Sequence, residues 1–486
     1  MSCYAEIHRP PCSTPGLSTK ELTVLFSGAF AVVFDVFVVN LAIPSLQIDL
    51  GANLAESSLV VAVYALTFGS CLIIGGRLGD RHGRQRTFIL GMVGFAFTSL
   101  GCGLAPTLPF LVITRLLQGM CAALLFPQIY ALLHVLYDES GRARAFSILG
   151  MTLGFAAITG QLLGGMMVWI NLFGLGWRLV FLVNLPFGLV IALLARTVPE
   201  SHGPATRLDL LGAFLITSSL SMLLVSLLEG PTQGWPTWSI VSLISSPCIG
   251  MLFIIWEHHL KRRGNIPLIN LALFTERHFS LALIAVLLVY STPASLFLCF
   301  SMTLQNGLGV TPLMVGTLLT PMSVGFILAS FAMPRLPTHF GTGTMICGLM
   351  LYTAGFLWLA WETPNLSSVA LPHLSYLAGM VAFGFGQGLS GPPLLNLAIG
   401  TVAKTHAGMA SGVISTAQQL GMAIGVASGG MLFTAALAAP GSTSQTEHYM
   451  QALAITLYGN ALLTLIATAL IVILQRLARS EKRQGA

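Results

Sequence analysis

Two ionisable side chains stand well inside long apolar stretches of this 486-residue sequence. Asp35 lies in Phe34-Asp35-Val36-Phe37-Val38-Val39-Asn40-Leu41-Ala42-Ile43-Pro44, and Arg115 opens Arg115-Leu116-Leu117-Gln118-Gly119. An acid at the centre of a membrane helix costs roughly 2.5–3.5 kcal/mol on insertion scales. Apolar surroundings favour the neutral form of a carboxyl, which is the property needed to load and release a proton. The bland reading is a carboxyl buried only to fix packing. Arginine keeps its charge and cannot carry the proton itself. Spacings of three and four put Arg115, Gln118 and Gly119 on one helix face. There Arg115 can bias a neighbouring carboxyl or hold a polar network. Its bland reading is a side chain reaching out from a helix end.

Three further patterns could serve such a pair. Gly76-Arg77-Leu78-Gly79-Asp80-Arg81-His82-Gly83, running on to Arg84 and Arg86, sets one acid among four arginines. Its plain role is a basic loop that fixes topology. Its sharper role is a gate latch built from Gly76, Asp80, Arg81, Gly83 and Arg84. In that role Asp80 caps a facing helix N-terminus and the arginines pair with acids. Next, Gly150, Gly154, Gly160, Gly164 and Gly165 make a small-residue face for close helix approach, and Gly160-Gln161-Leu162-Leu163-Gly164-Gly165 is its densest part. Last, Asn40, Gln118, Gln128, Gln161, Asn184, Gln418 and Gln419 are uncharged polar groups in apolar runs. Asn40, Gln118 and Gln128 are candidates to line a cavity, although such groups commonly bond helix to helix. Asp209, Glu229 and Glu257 read as interfacial acids near span ends.

The elements that must position these residues follow from composition. The chain is 55% hydrophobic and 8% charged, with mean hydropathy +0.84. Soluble domains carry about 25% charged residues, so a soluble enzyme and a disordered chain are both excluded. Long continuous apolar segments exclude a transmembrane barrel. Fourteen segments satisfy the length of roughly 20 apolar residues that a membrane helix needs, from 22–46 to 452–475. The expected organisation is a 1–21 tail, a six-helix bundle at 22–197 and two inserted helices at 198–277. A second six-helix bundle at 278–476 and a 477–486 tail complete it.

Charge placement tests the count. Arg77, Arg81, Arg84, Arg86, Arg142, Arg144, Arg196, Arg207, Lys261, Arg262, Arg263, Arg277, Arg335, Lys404 and the C-terminal basic residues all fall on one side. The opposite loops hold Asp49, Glu56, Glu229, Glu362 and Glu447, with Arg178 as the exception. By the positive-inside rule both termini are cytoplasmic. The net charge of +6 is thereby accounted for without a nucleic-acid surface. The eight cysteines are scattered, and no Cys/His cluster suggests a metal. Gly400-Thr401-Val402-Ala403-Lys404-Thr405 fails the phosphate-loop pattern because Ala398 and Ala403 replace the required glycines. No cofactor is expected, and the driving force would be an ion gradient.

Internal echoes divide the chain. Pro334-Arg335-Leu336-Pro337-Thr338-His339-Phe340-Gly341 repeats Arg, Leu and the closing Gly of the loop at 76–83. Gln387-Gly388 echoes Gln118-Gly119, and Gly429-Gly430 echoes Gly164-Gly165. Two related halves are the sign of a secondary transporter, whose site lies between the repeats.

These residues together resemble the major facilitator superfamily, specifically its fourteen-helix drug:proton antiporters. Gly76–Arg86 resembles the family's loop signature after the second helix. Arg115-x-x-Gln118-Gly119 resembles its fourth-helix motif, and Gly160 to Gly165 its fifth-helix antiporter motif, with Gln161 where Pro is usual. Asp35-x-x-x-x-Asn40-Leu41-Ala42-Ile43-Pro44, Trp177 to Gly188, Asp209-x-x-Gly212 and Gly408-x-Ala410-Ser411-Gly412 resemble motifs of the fourteen-span branch. The resemblance implies an all-α membrane fold of two six-helix repeats plus two inserted helices. It implies proton coupling through Asp35 and Arg115, and export of lipophilic drugs or toxins across a bacterial inner membrane. The expected partners are protons, a small lipophilic cargo and the bilayer; whether a periplasmic adaptor takes part is left open. A dedicated carrier of one metabolite or self-made antibiotic is the alternative. A membrane enzyme or a non-transporting receptor is disfavoured, because no acid or histidine constellation gathers at one face.

Overall fold

The computed structural model describes residues 18–484 apart from 53, 204–208, 231–232, 264–266, 311, 334–341, 365–373 and 439–443. The echo at 334–341 therefore lies outside the described residues. So do the side chains of Asn40 and Gln161 and the surroundings of Gly165. All regular structure among the described residues is helical. Lipid offers the backbone no hydrogen-bond partner, so a chain this apolar must satisfy its amides within helices.

The helices are α1 Thr19–Leu50, α2 Leu54–His82, α3 Arg84–Gly103, α4 Leu108–Leu136, α5 Glu139–Ile170, α6 Leu179–Leu182 and α7 Asn184–Leu194. Next come α8 Leu210–Glu229, α9 Thr237–Arg262, α10 Arg277–Met302, α11 Pro312–Ala332 and α12 Thr342–Glu362. The last are α13 Leu374–Gly400, α14 Ala407–Ala438 and α15 Gln445–Gln484. The helical turn at Gly176–Arg178 continues through α6 and α7, so Gly176–Thr197 crosses as one span. Thirteen spans among the described residues are long and apolar enough to cross a membrane. The fourteenth expected span is α13, less apolar because Gly, Ser, Gln and Pro392–Pro393 interrupt it.

Caps written in the sequence set several ends. Ser18 and Glu21 form a reciprocal capping box on α1. Asp138 accepts the Gly141 amide at 2.8 Å to start α5. Gly83, at φ +103°, is the single residue between α2 and α3, a conformation open chiefly to glycine.

Helices α1–α7 pack among themselves through α2 on α4, α3 on α4, α1 on α5 and α3 on α7. Helices α10–α15 do so through α10 on α14, α12 on α13, α11 on α13 and α12 on α15. The two sets meet through α2 on α14, α5 on α11, α4 on α14 and α5 on α13. Helix α8 packs on α2 and α14, and α9 packs outside it on α8.

The sequence echoes correspond to equivalent contacts. Gly119 faces the Tyr64 carbonyl of α2, where a Cβ would sit 2.6 Å away, and Gly388 faces the Phe326 carbonyl of α11 at the same distance. Gly164 faces Val38 of α1, and Gly429 faces Ser295 of α10. In each pair a glycine lets one span close on its counterpart partner.

Candidate functional site

Asp35 is completely buried between α1, α4 and α7. Arg115 Nη1 donates to its Oδ2 at 2.5 Å. Asn184 Nδ2 and Gln118 Nε2 donate to Oδ1 at 3.0 and 3.1 Å. Arg115, 1% exposed, also donates from Nη1 to Gln118 Oε1 at 2.7 Å and from Nε to the Val60 carbonyl at 3.0 Å. Its guanidinium carbon lies 4.2 Å from the Tyr64 ring centroid and 5.6 Å from that of Phe181. Gln118 Nε2 donates in turn to Ser99 Oγ at 2.6 Å.

These directions define the site's charge state. Every partner on the two Asp35 oxygens is a donor, so the arrangement is that of a carboxylate, which only accepts. Arginine, held charged, supplies the counter-ion, and the aromatic faces of Tyr64 and Phe181 add cation–π contact. Three of the roughly four lone-pair sites of the carboxylate are taken. Protonation removes the charge that Arg115 balances and so weakens the bonds from Arg115, Gln118 and Asn184.

The small-residue face of α5 sits directly behind this site. A Cβ on Gly160 would lie 2.9 Å from Phe37 Cβ and 3.0 Å from the Phe34 carbonyl. A Cβ on Gly164 would lie 2.7 Å from Val38 Cγ2. Both glycines thus let α5 close on the turn of α1 that carries Asp35.

At the arginine-rich end, Asp80 joins the two helix sets. It is 1% exposed and accepts the Gly408 and Met409 amides at 3.0 and 2.9 Å, at the start of α14. Arg84, fully buried, donates to the same carboxylate at 2.7 Å. A Cβ on Gly76 would collide with the Gly408 carbonyl. Further bonds between the sets surround this one. Arg142 Nε donates to Asn396 Oδ1 at 2.6 Å, and Lys404 Nζ donates to the Val135 carbonyl at 3.0 Å. Arg81 is exposed and stands outside this group, whereas Arg77, 6% exposed, reaches the Pro267 carbonyl.

Sequence reasoning had no view of several partners. Glu200 accepts the Gln85 and Arg86 amides at 3.0 and 3.3 Å and so caps α3. Gln85 Nε2 donates to the Ala195, Arg196 and Val198 carbonyls at 3.2, 3.0 and 2.7 Å. Tyr64 and Val60 complete the surroundings of Arg115, and Ser99 accepts from Gln118. Asn184 stood only among the uncharged polar groups; its signal was its place in the Trp177 to Gly188 motif. Gln118 and Gln128 do not face open space: both are 0% exposed. Gln128 Nε2 donates to the Gly75 and Leu124 carbonyls at 2.8 Å each, locking α4 to α2. Glu257, five residues before the end of α9, is 1% exposed and accepts the Leu268 and Ile269 amides at 3.2 and 3.3 Å. At the acid-rich end, the exceptional Arg178 pairs with Asp49 and lies 4.5 Å from the Trp177 ring centroid. The Arg178 hydrogen bond, helped by the Trp177 indole N–H, holds the Asp49 carboxyl below the usual carboxylate range.

A many-spanned helical chain in two linked sets, with an ion pair buried in one of them, is the architecture of a membrane transporter. The profile of the Major Facilitator Superfamily matches residues 25–426, and the chain belongs to that family. It is 33% identical over 426 residues to a "Probable actinorhodin transporter" of Streptomyces coelicolor, covering 87% of this chain and 74% of that one. It is 34% identical over 423 residues to the puromycin resistance protein pur8 of Streptomyces alboniger, covering 86% and 82%. Its fold is similar to that of the proton:xylose symporter XylE, with a TM-score of 0.65 at 14% identity over 93% of this chain and 94% of that one. The protein is a multi-pass integral membrane transporter.

Proposed function

We propose that this transporter exports lipophilic drugs or toxins in exchange for protons, by alternating access, in a bacterial inner membrane. The observation that carries the reading is the Asp35 carboxylate, buried with three donors on it and Arg115 as counter-ion. A proton entering from outside neutralises Asp35 and weakens its charge-assisted bonds to these donors. Helix α1, packed through Gly160 and Gly164 on α5, then shifts against α4 and α7. Because α5 also packs on α11 and α13, the change reaches the interface between 22–197 and 278–476, the two bundles that rock. Proton release to the cytoplasm restores the ion pair. Asp80 and its donors hold the cytoplasmic end shut in one state, with the arginine-rich end as the cytoplasmic one. The region 198–277 carries the accessory helix pair α8–α9.

The relatives' names support antibiotics as cargo. Because two of them are named for single compounds, actinorhodin and puromycin, a dedicated exporter is the second reading. The test uses energised inside-out vesicles loaded by a fluorescent lipophilic cation, puromycin or a flat polyaromatic acid. Asp35→Asn should abolish gradient-driven uptake while the protein stays folded. Undiminished uptake by that variant removes the coupling role of Asp35. Uptake of one compound alone favours the dedicated reading.

A further inference from the structure

A second buried polar group spans the bundle interface at the arginine-rich end, and its hydrogen-bond directions are fully determined. His134, in the last turn of α4, is 2% exposed. Its Nε2 lies 2.8 Å from the Val402 carbonyl, on the segment leading to α14. Its Nδ1 lies 3.0 Å from Arg142 Nη1, on α5. A carbonyl only accepts and a guanidinium only donates. Nε2 must therefore carry the hydrogen, and Nδ1 must offer its lone pair. The imidazole is neutral, in one tautomer. Arg142, so steadied, extends Nε to Asn396 Oδ1 of α13 at 2.6 Å.

We propose that neutral His134 is the positioning residue of a proton-sensitive lock on this end of the transporter. It ties α4 directly to the α14 approach, and through Arg142 it ties α5 to α13. Adding a proton to Nδ1 sets an N–H against the arginine donor. The His134–Arg142 bond is then lost, and a new cation is trapped beside an existing one. The groups facing His134 make this worse rather than better. Arg142 comes from α5, Lys404 from the segment before α14, and Arg84 from α3. Asp80, the carboxylate that Arg84 pairs with, is itself bound by the amides of α14. Asn396 and Gly400 of α13 bring no charge. Protonation on this side thus loosens closure on this side, independently of Asp35.

The proposal rests on the alternating-access reading but is tested without transport. Cysteines replacing Ala143 and Ala403, both exposed and on opposite bundles, carry spin labels in purified protein. The native cysteines are removed and the background is Asp35→Asn. Lowering the pH from 8 to 5.5 should lengthen the distance distribution in the parent. The closed-to-open ratio should fall by up to about tenfold per pH unit, the limit for one linked proton. His134→Gln retains an acceptor for Arg142 and a donor for Val402 but does not titrate; it should stay closed across the range. Asn396→Ala keeps His134 but loses the reach across the interface; it should be more open at pH 8 and respond less. Equal pH responses in the parent and His134→Gln, or none in the parent, would overturn the proposal. If His134→Gln does not fold, an unaltered parent-like response in Asn396→Ala overturns it. A parent that responds as expected but moves no cargo leaves the lock standing and sinks only the export reading.

Discussion

Removing the charge of Asp80 offers a sharp perturbation of the closed end. In the structure its carboxylate meets two backbone amides of α14 and the buried Arg84 guanidinium, at 3.0, 2.9 and 2.7 Å. Asp80→Asn keeps the shape, but turns one oxygen into an NH2 that faces donors. It also withdraws the anion from a helix N-terminus, worth about 0.3–1 kcal/mol when exposed and up to ~2 when partly buried. The larger loss is Arg84, left buried without its counter-charge; breaking such a pair costs about 3–5 kcal/mol. Arg84 belongs to the same helix set as Asp80, so that cost falls on open and closed states alike. Across the interface only the contact with the α14 N-terminus is lost, and at up to ~2 kcal/mol the closed-to-open ratio drops by up to about thirtyfold, at about 1.4 kcal/mol per factor of ten. The readout is alkylation of a cysteine at Ala410, which is 0% exposed on α14. An impermeant maleimide is applied to inside-out vesicles of a variant lacking native cysteines. The rate should rise by a comparable factor until opening ceases to limit it. Asp80→Asn with Arg84→Met, which removes both charges, should recover part of the thermal stability but not the closure. A rate within threefold of the parent, with unchanged thermal stability, would refute the argument that Asp80 holds the bundles together.

Two other substitutions follow from geometry. Gly164→Val should splay α1 from α5, because its first carbon already meets Val38 Cγ2 at 2.7 Å, an overpacking that typically costs about 1–3 kcal/mol; efflux should fall sharply while monodisperse protein is still recovered, and Gly164→Ala should lie between. Asp49→Asn tests the acid-rich end. Because the native carboxyl is held below its ordinary range by Arg178 and Trp177, its contribution is present above the unfolded-state pKa and is lost as pH falls through the native one. The variant should melt slightly below the parent at neutral pH, with the gap closing in acid. A gap that widens in acid would contradict the assignment, and a small one is expected because Asp49 is 46% exposed.

The sequence carried the fold because hydropathy and charge placement are local, additive signals. Thirteen spans read directly as apolar runs, and α13 was still found from its length although glycines dilute its apolarity. Those glycines let α11 and α12 both press on α13: Gly388 faces the Phe326 carbonyl of α11 and Gly386 faces the Tyr352 backbone of α12. Asp35 and Arg115 stood out for a different reason, since a charge in hydrocarbon needs an explanation wherever it occurs. What pattern could not supply was who satisfies whom. Asn184 lies 149 residues from Asp35, and Glu200 lies 115 from Gln85. Neither is unusual for its own segment, and each gains its role only when distant helices meet. Glu257 is a span-end acid whose partners were equally out of sight: the segment at Leu268–Ile269 folds over it and donates its amides. Gln128 likewise became a packing group because Gly75 and Gly79 admit its amide against α2.

The most direct measurement is proton release on cargo binding. Purified transporter in lightly buffered detergent, across a series of pH values, is mixed with a transported compound while a pH indicator is followed. The parent should release protons in proportion to bound cargo. Asp35→Asn should bind and release none, and Arg115→Ala, which lacks the counter-ion seen on the carboxylate, should release fewer. Full proton release from Asp35→Asn would contradict the account at its centre.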